Sequence, residues 1–248
     1  MIWSSSNPSI AVVDQNGVVS AVSNGVAIIT VTTDDNDLTD MCIVTVSDVP
    51  EMTVDGQSFV AVDLGLPSGT KWASYNLGAN NSLDKGNVYA WGEVIPKSNP
   101  NIDYDWSSYK WSNSDGSYLI KYNTRSNLGF VDNLTSLELD DDAAHKALGG
   151  TWRMPTDDEL WEIYSKCSWS WHTVDGITGK LVVGPNGNSI FLPYTSGNLG
   201  LYWSSSLNVD SYDIDSCKSA MAFRFYTNLC SPISATRCIA GAVRPVTD

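Results

Sequence analysis

The sequence predicts an α+β domain that is preceded by a short all-β segment. Asn, Asp, Gly and Ser are abundant beside 10 Trp and 11 Tyr, a composition typical of turn-rich β structure. Short β-branched runs open the chain, and two helical patterns lie between strand patterns further along it. Strands followed by two segregated helices and then by more strands favour an α+β fold with a mainly antiparallel sheet.

The charge of the chain argues against two classes of partner. The formal net charge at pH 7 is −14, which opposes binding to nucleic acid and to anionic membrane surfaces. No apolar run approaches the roughly 20 residues that span a bilayer, so we expect no direct membrane insertion by this segment. We also expect no cofactor.

The first segment has the pattern of short β-strands. An Asn-Gly turn signal at 14–17 lies between the apolar runs 10–13 and 17–22, which predicts a hairpin. The β-branched runs 26–33 and 41–46 predict two further strands. This part of the chain is therefore predicted to be all-β.

These strands resemble the later part of a group 2 bacterial immunoglobulin-like domain. The matching features are Trp3 to Pro8, the Ala11–Asp14 strand, Asn16-Gly17-Val18-Val19, and Gly25 leading into Ile28, Thr30 and Val31. The opening strands of such a domain are missing, so we expect the native chain to begin upstream of Met1. The resemblance implies a partial domain over 1–48 that acts as an extracellular spacer, as in adhesins and phage structural proteins. The alternative is an unrelated β-hairpin extension. Proline and glycine in 49–57 predict a linker.

A second domain is predicted over 58–248. It opens with two strand patterns that flank a Pro-Ser-Gly turn, and the second of them contains Lys71 to Ala73. A further strand is predicted at 87–93, and a hairpin is predicted around the turn Pro185-Asn186-Gly187. The last strand patterns are the runs 201–206, 219–228 and 241–246. Residues 94–136 have no sustained period and predict a long irregular excursion. The acids and alanines of 140–148, followed by Gly149, predict a first helix.

The segment 149–164 predicts the second helix. Thr156 can cap the helix and Glu159 has the reciprocal capping-box spacing. Leu160 and Ile163 begin an apolar face at helical spacing. The three acids 157–159 suit the positive end of the helix dipole, so we interpret them as scaffold and not as an active site.

The motifs of this domain resemble the Fibrobacter-type major paralogous (FISUMP) domain. The matching segments are "VDLGLPSGTKWA", "YAWGE", "GGTWRMPTDDEL", "GPNGNSIFLP", "YWSSS" and "VRPV", in the family's order and over essentially all of 58–246. The resemblance implies a C-type lectin-like fold and a place among surface proteins of gut Bacteroidetes. It also implies kinship with the ligand-binding variable proteins of diversity-generating retroelements. In that system, error-prone copying of adenines rewrites Asn-type codons near the end of the gene.

The strand 219–226 carries the functional hypothesis. Large apolar residues predicted to face the core alternate with residues of unrelated chemistry predicted to point outward. The inward set is Met221, Phe223 and Phe225, and the outward set is Ala222, Arg224 and Tyr226. We expect the outward set to share one exposed face with loops 207–215 and 228–236. The predicted ligand-binding residues are Asn208, Asp210, Tyr212, Asp213, Asp215, Ala222, Arg224, Tyr226, Asn228, Leu229, Ser231, Ile233 and Thr236.

The composition of residues 204–248, which we call the tail, is consistent with diversification. Adenine replacement in an AAC codon cannot produce Lys, Met, Gln, Glu or Trp, and between Ser204 and Asp248 only Lys218 and Met221 belong to that group. Cys217, Cys230 and Cys238 lie there in segments that read as polar loops. Random codon replacement would scatter cysteines in this way. The alternative is an ordinary polar region of chance composition.

The sequence gives little support to an enzyme or a metal site. His145 and His172, on a predicted helix and in a Trp-rich turn, have no accompanying catalytic Ser or Cys motif. The consecutive acids 140–142 would point apart on a helix and lack the loop oxygens of a calcium site. We expect no enzyme activity and no metal. A disulfide among the three tail cysteines is left open, since their spacing does not select a pair.

The sequence as a whole predicts a secreted or surface-displayed binding protein, either extracellular or on the outer surface of a cell or phage virion. The expected ligand is a protein or glycan on another cell or host surface. Tyr and Arg among Asn, Asp and Ser are the contact types that rigid variable binding surfaces favour. One alternative is a structural subunit of a pilus or phage fibre, whose tail would contact a neighbouring copy. A carbohydrate-active enzyme has less support.

Overall fold

The computed structural model describes residues 1–23, 25–34, 38–46, 52–54, 57–98 and 105–248, and it describes 52–54 and 57–59 by their backbone alone. The strands up to residue 59 are β1 (Ile2–Ser5), β2 (Ala11–Val13), β3 (Val19–Ala21), β4 (Gly25–Thr32), β5 (Thr39–Val46), β6 (Met52–Val54) and β7 (Gln57–Phe59). The later strands are β8 (Ala61–Asp63), β9 (Lys71–Ala73), β10 (Val88–Tyr89), β11 (Ser168–Val174), β12 (Ile177–Val183), β13 (Ser189–Pro193), β14 (Gly200–Leu207), β15 (Ser219–Tyr226), β16 (Leu229–Thr236), β17 (Gly241–Ala242) and β18 (Val246–Thr247). Two α-helices, α1 (Ala143–Leu148) and α2 (Asp157–Lys166), lie between β10 and β11 in the described chain.

The predicted mixture of a β-rich chain, two helices and mainly antiparallel sheets is confirmed. The largest sheet has the order β10-β17-β14-β15-β16, and β14 and β17 are its parallel pair. Two three-stranded sheets, β11-β12-β13 and β18-β9-β8, lie in the same part of the chain. Within the described residues, no helix is both long and apolar enough to cross a membrane.

Both faces of β15 are covered at its centre. On one face Ala222 packs with Trp203 of β14 and with Trp91 and Tyr122 from the region after β10. On the other face the phenyl rings of β15 pack with Leu160 of α2 and with apolar residues of β12 and β13. The outward position predicted for Ala222 is therefore wrong, since this side chain is 0% exposed. The reason is that chain from the irregular excursion closes over this face of the sheet.

Three further sequence predictions differ from the structure. Residues 228–236 are mostly strand, because β16 pairs along the whole of β15. His172 lies in strand β11, where a turn was expected. Met221, predicted to fill the core, is only half-buried.

The predicted hairpin and the two strands that follow it are confirmed in the N-terminal segment. β2 pairs with β3, and β4 lies between β1 and β5. The predicted linker 49–57 lies largely outside the described residues. Of it, Met52–Val54 and Gln57 belong to the hairpin of β6 and β7.

The central strand of the N-terminal sheet is buried from two sides. Ala27 and Ile29 of β4 face Ile10 and Ala11 of their own segment. The alternate residue Ile28 packs against Val174 and Leu181 of the β11-β12-β13 sheet. In addition, the Ser189 hydroxyl donates a hydrogen bond to the carbonyl oxygen of Val26, and the Asn7 amide donates to the carbonyl oxygen of Gly187. The two parts of the chain thus share a packed, hydrogen-bonded interface.

Two buried arginines organise the larger part of the chain, and neither pairs with a carboxylate of the described residues. Arg244 donates to the carbonyl oxygens of Ala73 and Phe191 and to the side-chain oxygen of Asn76, at 2.7–3.0 Å. Arg237 donates from all three nitrogens to main-chain carbonyls and to the Tyr109 hydroxyl. Burial lowers the pKa of Arg244 to about 10. These guanidinium groups cross-link main-chain carbonyls of segments that are far apart in the sequence.

Helix α2 begins as the sequence predicts. Thr156 and Glu159 form the complete capping box. Glu159 also accepts two hydrogen bonds from Arg153, at 2.7 and 2.8 Å, and one from the Thr70 hydroxyl at 2.8 Å. The residue spacing in the sequence did not indicate that Arg153 would bind the Glu159 carboxylate. The carboxylate ties the helix start to the segment that precedes it and to the turn before β9.

Stability is expected to fall as the pH is lowered below about 4.5, the ordinary pKa of Glu. Burial opposes the ionisation of Glu159, but its hydrogen bonds outweigh burial and lower its pKa. Because the folded-state pKa lies below the unfolded one, this stabilisation is present at neutral pH and is lost as pH falls through the folded pKa. Urea unfolding between pH 7 and pH 3 measures the slope. Glu159→Gln should destabilise the protein at pH 7 and flatten the slope, and an unchanged slope would contradict this role.

Candidate ligand-binding surface

The predicted ligand-binding residues fall into two groups at opposite ends of β15. The loop that joins β14 to β15 contains Asn208 to Asp215, next to Ser219 at the start of the strand. Arg224 and Tyr226 lie at the other end, beside the turn into β16. Seven steps of about 3.3 Å separate Ser219 from Tyr226, or about 23 Å. The predicted single surface is therefore divided into two sites.

The loop residues are mostly exposed and hold their own conformation. Tyr212 is 97% exposed, and Asp213 and Asp215 are also exposed. Asp210 and Asp213 each accept a hydrogen bond from the main-chain N–H two residues further on, at 2.9 Å. Arg125 anchors the loop by donating to the carbonyl oxygen of Asp210 at 2.7 Å. A loop fixed in this way presents side chains without needing them for the core.

A polar groove of about 600 Å³ lies beside this loop and the start of α2. Its lining combines hydroxyl groups, carboxylates, an amide and three apolar side chains. The lining residues are Thr135, Ser136, Thr156, Asp157, Asp158, Ser206, Leu207, Asn208, Val209, Asp210 and Met221. Two of the predicted residues, Asn208 and Asp210, are in this lining. Asn208 itself is largely buried, so it forms the floor and not the rim.

The structure holds the groove walls together by backbone contacts. The Ser205 N–H donates to the carbonyl oxygen of Pro155 at 2.7 Å, and the Asp157 N–H donates to the Ser206 hydroxyl at 3.0 Å. The Leu207 N–H donates to the carbonyl oxygen of Thr135 at 2.9 Å. The start of α2 and the end of β14 therefore have a fixed separation.

Asp157 differs from its neighbour Glu159 in this groove. Its Oδ1 atom is shielded from solvent and has no hydrogen-bond donor among the described residues. Burial and the charge of Asp158 raise the pKa of Asp157. The scaffold interpretation thus holds for Glu159 but does not account for Asp157. The three carboxylates of the lining, from Asp157, Asp158 and Asp210, favour ligands that bring N–H or O–H groups.

At the other end of β15 the outward residues retain part of the predicted surface. Tyr226 is 41% exposed, Asn228 is exposed, and Arg224, Leu229 and Ser231 are half-buried. Arg224 lies opposite Ser231, and Tyr226 opposite Leu229, so these four side chains share one face. The remaining two predicted residues, Ile233 and Thr236, are half-buried towards the loop end of the sheet, and Ile233 packs against the core there.

The cysteines and acids form no further site in the described chain. All five cysteines are free, and Cys217 and Cys238 are buried. No group of three or more His, Cys, Asp or Glu residues comes together to hold a metal ion in that part of the chain. Asp141 is buried but accepts from Lys110, Lys121 and Tyr122 at 2.6–3.1 Å, which assigns it to the scaffold.

Comparison with known proteins identifies the N-terminal segment. Residues 1–44 match the family model for bacterial Ig-like domains, group 2. Domains of this family are often surface or adhesion-related and are commonly extracellular. No curated protein and no solved structure matches the chain. The Ig-like part of the sequence prediction is therefore confirmed, and the match does not extend to the groove.

Proposed function

We propose that the protein is a secreted or surface-displayed ligand-binding protein, and that loop 208–215 with the adjoining groove forms its ligand face. The groove is the observation that carries this proposal, because it is concave, has walls joined by hydrogen bonds and is lined by hydroxyl, amide and carboxylate groups beside an exposed loop. Binding sites combine these features: a shaped cavity and a few convergent polar groups. The Ig-like segment supports a surface location.

The loop adds an apolar component that suits a protein ligand. Val209, Tyr212 and Ile214 are 50–97% exposed within a few residues of one another. Exposed apolar side chains concentrated on one loop are typical of interaction sites, and Tyr provides large contact area at low entropic cost. We propose that the ligand is a protein surface, which contacts the loop and inserts a donor-bearing side chain into the groove.

The scaffold is proposed to be a C-type lectin-like domain of the FISUMP type. The order of strands, the paired helices and the long irregular region support this assignment. Codon diversification is proposed to be confined to exposed residues such as those of 209–215. Buried Cys217, Ala222 and Cys238 cannot vary freely, because changes in core volume destabilise the protein.

Simultaneous replacement Tyr212→Ala and Ile214→Ser is expected to remove ligand binding while the melting temperature changes little. Both side chains are exposed, and surface substitutions usually change stability by less than about 0.5 kcal/mol. The measurement is binding of the purified chain to an array of extracellular proteins, followed by titration of each hit with the variant. Val12→Ser, an exposed apolar position in the Ig-like segment, is the matched control and should leave binding unchanged.

Two outcomes would contradict the proposal. Hits that bind the double variant as tightly as the parent chain would place the ligand face elsewhere. Self-association that rises with concentration in analytical ultracentrifugation, and that the double variant loses, would favour a pilus or fibre subunit whose loop contacts a neighbouring copy.

A further inference from the structure

Arg224 is the one charged residue on three adjacent strands. β14 and β16 contain no Asp, Glu, Lys or Arg, and β15 contains only this arginine. Its cross-strand neighbours are Leu201 and Ser231. In a chain of net charge −14, a lone cation on an uncharged part of a sheet has no neutralising neighbour on those strands.

The guanidinium of Arg224 also lacks hydrogen-bond partners in the described part of the chain. Its Nε atom is shielded from solvent and has no acceptor, whereas the two Nη atoms are not shielded in this way. Every nitrogen of Arg237 and of Arg244 donates a hydrogen bond. A buried donor without a partner destabilises the folded state, and native structures rarely retain one without a reason.

The surroundings of Arg224 combine three types of contact. The guanidinium carbon lies 5.9 Å from the centroid of the Tyr226 ring, which is partly exposed. Leu229 is half-buried beside that ring, and Ser231 provides a hydroxyl on the same face. A cation, an aromatic ring and a hydroxyl thus share one small patch, which we call the Arg224 patch.

We propose that the Arg224 patch binds an acidic sugar residue. The planar guanidinium matches the two oxygens of a carboxylate, the Tyr226 ring offers an apolar surface for the sugar ring, and Ser231 can hydrogen-bond a sugar hydroxyl. The patch is one ring and one cation wide, whereas a standard protein interface covers about 800 Å² on each partner. This size favours a single sugar residue over an acidic protein surface.

The acidic character of the whole chain does not prevent this binding. Charges are screened beyond about 8 Å at physiological ionic strength, and the three strands around the patch carry no carboxylate. The site is separate from the groove, because Arg224 lies three positions, or about 10 Å, along β15 from Met221 of the groove lining, and the two side chains point to opposite faces of the sheet. A test of sugar binding at the Arg224 patch is therefore independent of the test for a protein ligand at the groove.

The test adds three probes, one at a time, to the purified chain. Binding is monitored by NMR of the arginine side-chain Nε–H groups. Glucuronic acid carries the ring and one carboxylate, and glucose has the same ring without the charge. N-acetylglutamate, used as its α-methylamide so that one carboxylate remains, has the same single charge without the ring. Glucuronate is expected to shift the Arg224 signal saturably, with a dissociation constant on the order of millimolar. Glucose and N-acetylglutamate should each bind at least tenfold more weakly, and added salt should weaken the glucuronate complex.

Variants separate this binding from a structural role. Arg224→Met should abolish glucuronate binding and leave the melting temperature unchanged or higher, because it removes an unpaired buried donor. Tyr226→Ala should weaken binding, whereas Tyr226→Phe should retain it. Asp210→Asn in the groove should have no effect on it. N-acetylglutamate binding as tightly as glucuronate would overturn the sugar assignment in favour of an acidic peptide. The absence of a saturable shift at tens of millimolar, or a lowered melting temperature in Arg224→Met, would overturn the site.

Discussion

Replacement of Arg244 by Met is expected to unfold the protein or to lower its stability by at least about 3 kcal/mol. The side chain is 1% exposed and donates three hydrogen bonds, to Ala73, Asn76 and Phe191. Methionine fills a similar volume but donates none, so three buried acceptors lose their partner, and each costs about 1–3 kcal/mol. That loss is large beside the 5–15 kcal/mol by which domains are normally stable. Soluble yield and urea unfolding measure the effect.

The matched control is the same substitution at Arg224. Both residues are arginines in the last quarter of the chain, but Arg224 has no hydrogen bond in the described structure and Arg244 has three. Arg224→Met should fold with parental stability. A stability loss in Arg244→Met as small as that expected for Arg224→Met would show that Arg244 does not organise the core. Arg244→Lys should remain strongly destabilising, since one ammonium does not reproduce the planar fork of donors.

The second large effect is expected at the interface between the Ig-like segment and the rest of the chain. Ile28→Asp should destabilise both parts together, because Ile28 is buried against Val174 and Leu181 and an unpaired charge there is costly. Ile28→Ala should cost about 2–5 kcal/mol. Thermal unfolding followed by circular dichroism, with fragments identified after limited proteolysis, reports which part is released.

Two controls define the coupling. Val12→Asp changes an exposed residue of the same segment and should have little effect on stability. A double-mutant cycle of Ile28→Ala with Leu181→Ala should give an interaction energy of about 0.5–3 kcal/mol, as for residues in contact. Two separate unfolding transitions, of which Ile28→Asp shifts only one, would instead support independently folding domains. Because linkers with few crossing contacts are cut before folded cores, the linker predicted from sequence leads us to expect that a protease cuts first between 47 and 57.

Local signals account for the elements that the sequence predicted correctly. Helix α2 depends on Thr156 and Glu159, which lie three residues apart, and the hairpin of β12 and β13 depends on the turn residues between them. The sequence of strand β11 also carries a strand pattern, although a turn was predicted there. Trp169, Trp171 and Thr173 alternate with polar residues, which is the period of a half-buried strand. β16 had no such signal, because proline and small residues interrupt its pattern and its pairing with β15 defines it.

The same division between local and long-range signals holds for the predicted ligand-binding residues. The sequence by itself determined the strand character of 219–226, the exposed polar loop before it and the Ig-like start, because alternation, turn residues and strand motifs act over a few neighbouring positions. Only the tertiary structure decided that Ala222 is buried, that the predicted surface divides into two sites, and that Arg224 is unpaired while Arg244 is fully bonded. The physical reason is that burial and hydrogen-bond partners come from chain distant in sequence. The excursion covers Ala222, and strands β9 and β13 present carbonyl oxygens to Arg244.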